Sequence, residues 1–291
     1  MSFYSRLAFK LFGNYISFFL DIFPELKKDL KKAGLKFSSQ EYIAIAILTS
    51  FLLFIVEMPI FSIIYGILSK GFLFSFLFSF TTSLIIAIFF FYLFVQYPKF
   101  ISRERARKID ESLPFGILHL ATILKSKIPL HRALEILSKI KIYKEFTKDV
   151  QGIIRDIKFF GIDIATALER AAERTPSKKL SEIWWGILSN FRAGSDISVY
   201  LRQKGSDLMN EYRKKIYEFS HTLSVYIEIY LTAIIIGSIF FVILTAIFSA
   251  IGTSVQQDII TLQFILIFIF IPTVSIAFIY FVKRSQPGAG I

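Results

Sequence analysis

The chain has 291 residues, is 54% hydrophobic and 17% aromatic, and carries a formal charge of +12. A water-soluble domain rarely combines these values, so the composition points to an integral membrane protein built on long apolar runs. No cysteine occurs, which excludes disulfides, thiolate metal sites and cysteine nucleophiles.

The first residues, MSFYSRLAFKLFGNYISFFLDIF, are apolar but interrupted by Arg6, Lys10, Gly13 and Asn14, and no small-residue cleavage site follows. They read as an interfacial helix with Phe3, Leu7, Leu11, Tyr15, Phe18 and Phe19 toward lipid or protein. The charged helix ELKKDLKKA ends at Gly34, and Ser38 with Glu41 forms a capping box. Residues 1–41 are assigned to cytoplasmic or interfacial N-terminal helices.

Four apolar runs follow, each long enough for a bilayer core: about 42–68, 72–95, 224–251 and 259–282. Lys70-Gly71 breaks the first pair and Gly252 to Asp258 the second, so each pair reads as a transmembrane hairpin (42–95 and 224–282). Lysine and arginine crowd residues 1–40 and 97–222, and Lys283-Arg284 closes the last run. The positive-inside rule then places the N-terminus, the middle segment and the tail 283–291 in the cytoplasm of a multi-pass cell-membrane protein.

The middle segment, 96–223, is too polar to span. Leu113, Ile117, Leu120, Ile123 and Leu124 fall on one helical stripe, and Leu130, Leu134, Leu137 and Ile140 on another. Nothing alternates with period two for long. The fold class expected is all-α: four transmembrane helices in two hairpins flanking a cytoplasmic bundle of about six short helices.

Within this segment GIDIATAL (161–168) and GSDISVYL (194–201) repeat a pattern of glycine, aspartate and apolar residues. Glycine just past a helix end adopts the left-handed conformation cheaply, and aspartate caps the next helix. Gly161 with Asp163, and Gly194 with Asp196, are therefore read as helix–turn–helix corners. KIPLHRAL (127–134) is a degraded third copy, with Pro129 in the aspartate slot and Lys127 in the glycine slot. Thr175 is expected to cap another helix, with Pro176 at its first position.

Catalytic chemistry is not indicated. His119, His131 and His221 are far apart in sequence and make no HExxH pair, and neither a phosphate-binding glycine loop nor GxSxG occurs. His119 falls in an apolar stripe, as a hydrogen-bonded core histidine does. Glu135, Glu145, Asp149 and Asp156 interleave with lysines, as exposed helical faces usually do. No cofactor or metal site is expected. Glu57, beside Met58-Pro59, sits inside the first span, where a carboxylate is costly; the triplet marks a kink or lies near the outer interface, or else Glu57 makes a polar contact with another membrane helix. Glu228 lies about one turn into the third span, where it can snorkel or pair. Basic clusters at Lys27, Lys28, Lys31, Lys32, Lys36, Arg103, Arg105, Arg107 and Lys108 suit topology and attraction to anionic lipid. No aromatic-interleaved basic module appears, so nucleic acid is not an expected partner.

The layout of two spans, a helical bundle and two more spans resembles the type II secretion system F domain family. Residues 26–48 (LKKDLKKAGLKFSSQEYIAIAIL) look like the segment ahead of the first span in archaeal members. Residues 112–137 and 161–201 look like the two halves of the domain, and SVYIEIYL (224–231), with Glu228 and Tyr230, looks like the Glu-x-Tyr opening of the next span. Lys127 stands where the family usually has glycine. The resemblance implies a non-enzymatic platform of a type IV pilus-like, Tad-type or archaellum-like machine, or of a type II secretion pseudopilus. Its implied partners are a hexameric secretion ATPase, pilin-like subunits, the lipid bilayer, and a second copy or paralogous platform subunit. The expected ATPase contacts are Lys178, Lys179, Arg202 and Lys204. A transporter or channel with a cytoplasmic regulatory domain is the alternative; it requires an ionisable pathway through the spans.

Overall fold

The computed structural model describes residues 8–10, 16–35, 37–68, 71–250, 261, 264–265, 268–269 and 271–285. Among them there is no strand. The helices are α1 (Ile16–Ile22), α2 (Leu26–Ala33), α3 (Ser39–Leu68), α4 (Phe72–Lys125), α5 (Leu130–Ser138), α6 (Lys144–Phe160), α7 (Ile164–Arg174), α8 (Lys178–Arg192), α9 (Ile197–Ala250) and α10 (Ile271–Ser285). A 3-10 turn at Lys141–Tyr143 joins α5 to α6. The chain divides into two compact units, Met1–Lys204 and Gly205–Ile291.

Among the described residues, three helices, α3, α4 and α9, are long and apolar enough to cross a membrane. The apolar helix of the fourth expected span is shorter, Ile271–Lys283. Most of residues 259–270, the connector 252–258 and Lys70 lie outside the described residues. So do Phe3, Leu7, Leu11 and Tyr15 of the expected interfacial face. What is described of that segment packs against protein: Ile16 is buried with Ala44 and Leu48 of α3, and Phe19 meets Phe91 of α4 edge-on at 5.3 Å.

Serine chemistry joins α3 to α4. Ser75, Ser79, Ser83 and Ala87 recur every four residues and form a buried row of small side chains on α4, letting the two backbones approach. The Ser79 hydroxyl donates to the Met58 carbonyl at 2.6 Å, and the Ser83 hydroxyl donates to the Phe54 carbonyl at 3.2 Å. The Tyr42 hydroxyl donates to the Phe94 carbonyl at 2.9 Å. That carbonyl is the one Pro98 leaves without its intrahelical donor, because proline lacks the N–H four residues on. Tyr42 thus repairs the ladder, and α4 continues through Pro98. The opposite face of α4 exposes Phe74, Leu77, Ile85, Ile88 and Phe89, an apolar surface fit for lipid.

Beyond Pro98 the same helix becomes a wall of the bundle. Leu113, Ile117 and Leu120 are fully buried, as are Leu134 and Leu137 of α5, Phe146 and Ile153 of α6, Leu168 of α7, and Leu180 and Trp184 of α8. Six helical segments fall within 96–223, as expected, but the first and last are the ends of the long helices α4 and α9 rather than short helices of their own. Four self-contained helices, α5 to α8, pack with the second half of α4, and α9 leaves from the end of α8. Both α4 and α9 run 54 residues without a break.

Candidate functional site

The corners take shape from backbone conformation. Gly161 (φ 63°) and Gly194 (φ 67°) are left-handed, and so is Lys127 (φ 56°). The third copy of the motif thus has the same conformation as the other two, held by a residue with a Cβ. At the second corner the Ile162 amide closes the turn by donating to the Asp156 carbonyl at 3.1 Å. At the third, the Ser195 amide donates to the Asn190 carbonyl at 3.0 Å. Asp163 caps α7 by accepting from the Thr166 amide at 2.9 Å, a bond that holds its carboxyl below the usual aspartate range. Asp196 opens α9 by accepting from the Ser198 hydroxyl (2.7 Å) and amide (2.8 Å), which lower its pKa, with Lys127 adding to the effect. Pro129 occupies the capping position of α5, and its carbonyl accepts from the Arg132 and Ala133 amides at 3.0 and 3.1 Å.

Lys127→Gly should therefore stabilise the bundle. Left-handed geometry costs a side-chain-bearing residue about 1–2 kcal/mol, and glycine's extra chain entropy returns roughly half of that. A net gain of about 0.5–1 kcal/mol, read as a higher unfolding midpoint, is expected.

The expected start at Thr175-Pro176 is displaced. Thr175 ends α7 in an extended conformation, as the residue before proline prefers. Ser177 caps α8 instead, its hydroxyl oxygen accepting from the Leu180 amide at 3.0 Å while its hydroxyl also donates to Asp110 of α4. Pro176 is a turn residue between the two helices. Lys178 and Lys179 thus form the first turn of α8, at the positive end of its dipole, where lysines reduce helix stability. Arg202 and Lys204 lie not in a turn but inside α9, exposed, six and eight places past its capping Asp196.

Elsewhere the bundle contradicts the surface reading of its acidic residues. Asp149 and Asp156 are buried, with side chains 4% and 8% exposed. Arg105 reaches inward from α4 and donates to Glu145 at 3.0 Å, to Asp149 at 2.5 Å and to the Lys32 carbonyl at 3.0 Å. Arg174 pairs with Asp156 at 3.3 Å. Burial pushes the Asp149 carboxyl above its ordinary range, against the opposing pull of Arg105. At Glu145 burial is outweighed by hydrogen bonds from Lys148 and Arg105, and its pKa falls. One guanidinium therefore ties α2, α4 and α6 together. Sequence reasoning placed Arg105 among the topology lysines and arginines and missed this role. The signal was on α6: Asp149, Gly152 and Asp156 share a helical face, and Gly152 leaves the room through which Arg174 passes, its Nη2 only 2.4 Å from where a Cβ would stand.

Of the membrane-segment polar residues, Glu57 keeps Oε2 buried without a hydrogen-bond partner among the described residues. Glu228 is exposed on α9. The Tyr230 hydroxyl meets the Ser275 hydroxyl of α10 at 2.8 Å, and its ring stacks on Phe278 at 4.5 Å. His119 is half-buried, with Nδ1 3.2 Å from the Tyr143 hydroxyl.

Residues 117–245 match the family described as Type II secretion system (T2SS), protein F. An uncharacterized protein of Methanocaldococcus jannaschii is 29% identical over 162 residues, covering 56% of this chain. The match spans 27% of that relative's length. No solved structure matches.

Proposed function

We propose that this chain, whose residues 117–245 belong to the type II secretion system protein F family, is a non-enzymatic platform in the cytoplasmic membrane. It couples a cytoplasmic secretion ATPase to the insertion of pilin-like subunits into a growing filament or pseudopilus. The family match is the observation that carries this reading. The positive-inside rule supports a cytoplasmic bundle and cytoplasmic termini.

Continuous helices suit such a task. At roughly 1.5 Å per residue, α4 measures about 80 Å, and its 54 residues run from the apolar hairpin into the bundle as one continuous helix through Pro98 and Pro114. Displacement at one end of such a helix reaches the other. Arg105 adds α2 and α6 to the same rigid body.

Lys178, Lys179, Arg202 and Lys204 are the residues we assign to electrostatic contact with the ATPase. Lys178 in the first turn of α8, and Arg202 and Lys204 on α9, present exposed positive charge to such a partner. Reversing all four charges to glutamate should lower ATPase co-purification at least tenfold, most strongly at low salt, while membrane insertion stays intact. Undiminished co-purification would remove these residues from the interface.

A further inference from the structure

The first hairpin holds a carboxyl group for which the described residues supply no partner. Glu57 sits in α3, eighteen residues past Ser39 and eleven before Leu68. At roughly 1.5 Å per residue it is about 16 Å from the nearer helix end, well inside the apolar stretch. Its Oε2 is buried and has no hydrogen-bond partner among the described residues.

No charge on the neighbouring elements answers it. Across the hairpin, residues 72–91 of α4 contain no titratable side chain. On α3 itself the other titratable groups are Glu41 and Tyr42 at its start and Tyr65, eight residues further on. The α1 and α2 helices pack on α3 between Tyr42 and Leu48, so Asp21, Asp29 and the lysines of α2 sit toward its other end, nine residues or more before Glu57. Lys70 is thirteen positions away in sequence and lies outside the described residues.

The hydroxyls of α4 are spent as well. Ser79 and Ser83 donate to the Met58 and Phe54 carbonyls, one place after Glu57 and three before it. A hydroxyl carries a single hydrogen, so these oxygens keep only lone pairs. Such oxygens can accept from a carboxylic acid but cannot donate to a carboxylate. Ser50, whose hydroxyl is also buried and unpartnered among the described residues, is two turns away, about 10 Å along the helix.

We infer that Glu57 is a proton-binding site inside the first hairpin, occupied in the membrane-inserted protein so that the side chain stands as a neutral carboxylic acid. A carboxylate inside a membrane is ordinarily kept by an ion pair or by a set of donors, and the described residues offer Glu57 neither. A bound proton removes the charge that lipid penalises. It also gives the group a hydrogen to donate, which suits a hairpin whose neighbouring polar atoms are acceptors. The proton site belongs to the hairpin and does not depend on the platform role.

The test uses the full-length chain, in nanodiscs of neutral lipid and in native membranes, treated with dicyclohexylcarbodiimide. This apolar reagent adds whole to a carboxylic acid: a carboxyl oxygen bonds to the central carbon, and the acid proton passes to a nitrogen. Mass spectrometry after digestion should find the adduct on Glu57, with a yield that changes less than about twofold between about pH 6 and 8. A carboxyl with ordinary behaviour is ionised throughout that range and should lose about tenfold per pH unit. Infrared difference spectra of wild type against Glu57→Gln, whose side chain keeps the neutral shape and hence the fold, should show a protonated-carboxyl band, and this band decides the matter where the reagent does not reach the site. A carboxylate band, or a tenfold fall in yield per pH unit, overturns the proton site. An adduct formed in nanodiscs but absent in native membranes overturns it in favour of a cationic group on another membrane helix.

Discussion

Arg105→Ala is expected to destabilise the bundle by about 3–5 kcal/mol, the range for leaving a buried charge without its partner. The side chain is 15% exposed and Asp149 only 4%, so this is not a surface pair whose loss goes unnoticed. Three contacts vanish together: those to Glu145, to Asp149 and to the Lys32 carbonyl at the end of α2. Two readouts separate this from generic damage. Asp149→Asn in the Arg105→Ala background should recover part of the loss, because it removes the stranded charge. The deficit should also shrink as pH falls. Asp149 already has a raised carboxyl pKa, and losing Arg105 raises it further. A group that binds its proton more tightly when folded stabilises the fold as pH drops from above its folded pKa toward its unfolded one. Chemical unfolding of detergent-solubilised protein at two pH values measures both effects. A pH-independent deficit would argue against a buried Asp149 charge.

Gly116→Ala is expected to cost at least about 1–3 kcal/mol, the range for overpacking a dense core. A Cβ there would stand 2.4 Å from Cε1 and 2.7 Å from Cδ1 of Phe146. Phe146 cannot retreat, because it is fully buried and stacked on Trp184 with ring planes 10° apart. Trimming Phe146 to leucine in the Gly116→Ala background should recover stability. Gly186→Ala should be milder, although a Cβ there would meet the Tyr200 hydroxyl at 1.8 Å, because that hydroxyl ends a half-buried side chain that can swing aside. At Gly161 and Gly194 nothing lies within 4 Å, and backbone conformation alone asks for glycine. Thermal midpoints of the four single substitutions should reveal these two classes.

These residues also mark where sequence reading stops. The long apolar runs and the corners were legible, since hydropathy and the Gly-x-Asp pattern report local preferences that the fold obeys. Arg105 was not, because an arginine just past an apolar run satisfies topology whether it faces lipid headgroups or a buried aspartate. Asp149 and Asp156 looked like solvent-facing acids because lysines interleave with them, and only tertiary packing decides which face of α6 turns inward. The continuity of α4 was hidden for a related reason. Pro98 ordinarily ends a helix, and the Tyr42 hydroxyl that compensates it is 56 residues away in sequence. The start of α8 moved from Thr175 to Ser177 because proline held the preceding residue extended.

The platform reading is tested most directly in the native host by removing this gene and measuring where the pilin-like subunit goes. Sheared surface filaments and membranes are separated, and the subunit in each is quantified. The proposed role predicts mature subunit retained in the membrane, none in the sheared fraction, and recovery on complementation with wild-type protein. An unchanged amount of subunit in sheared filaments would contradict it.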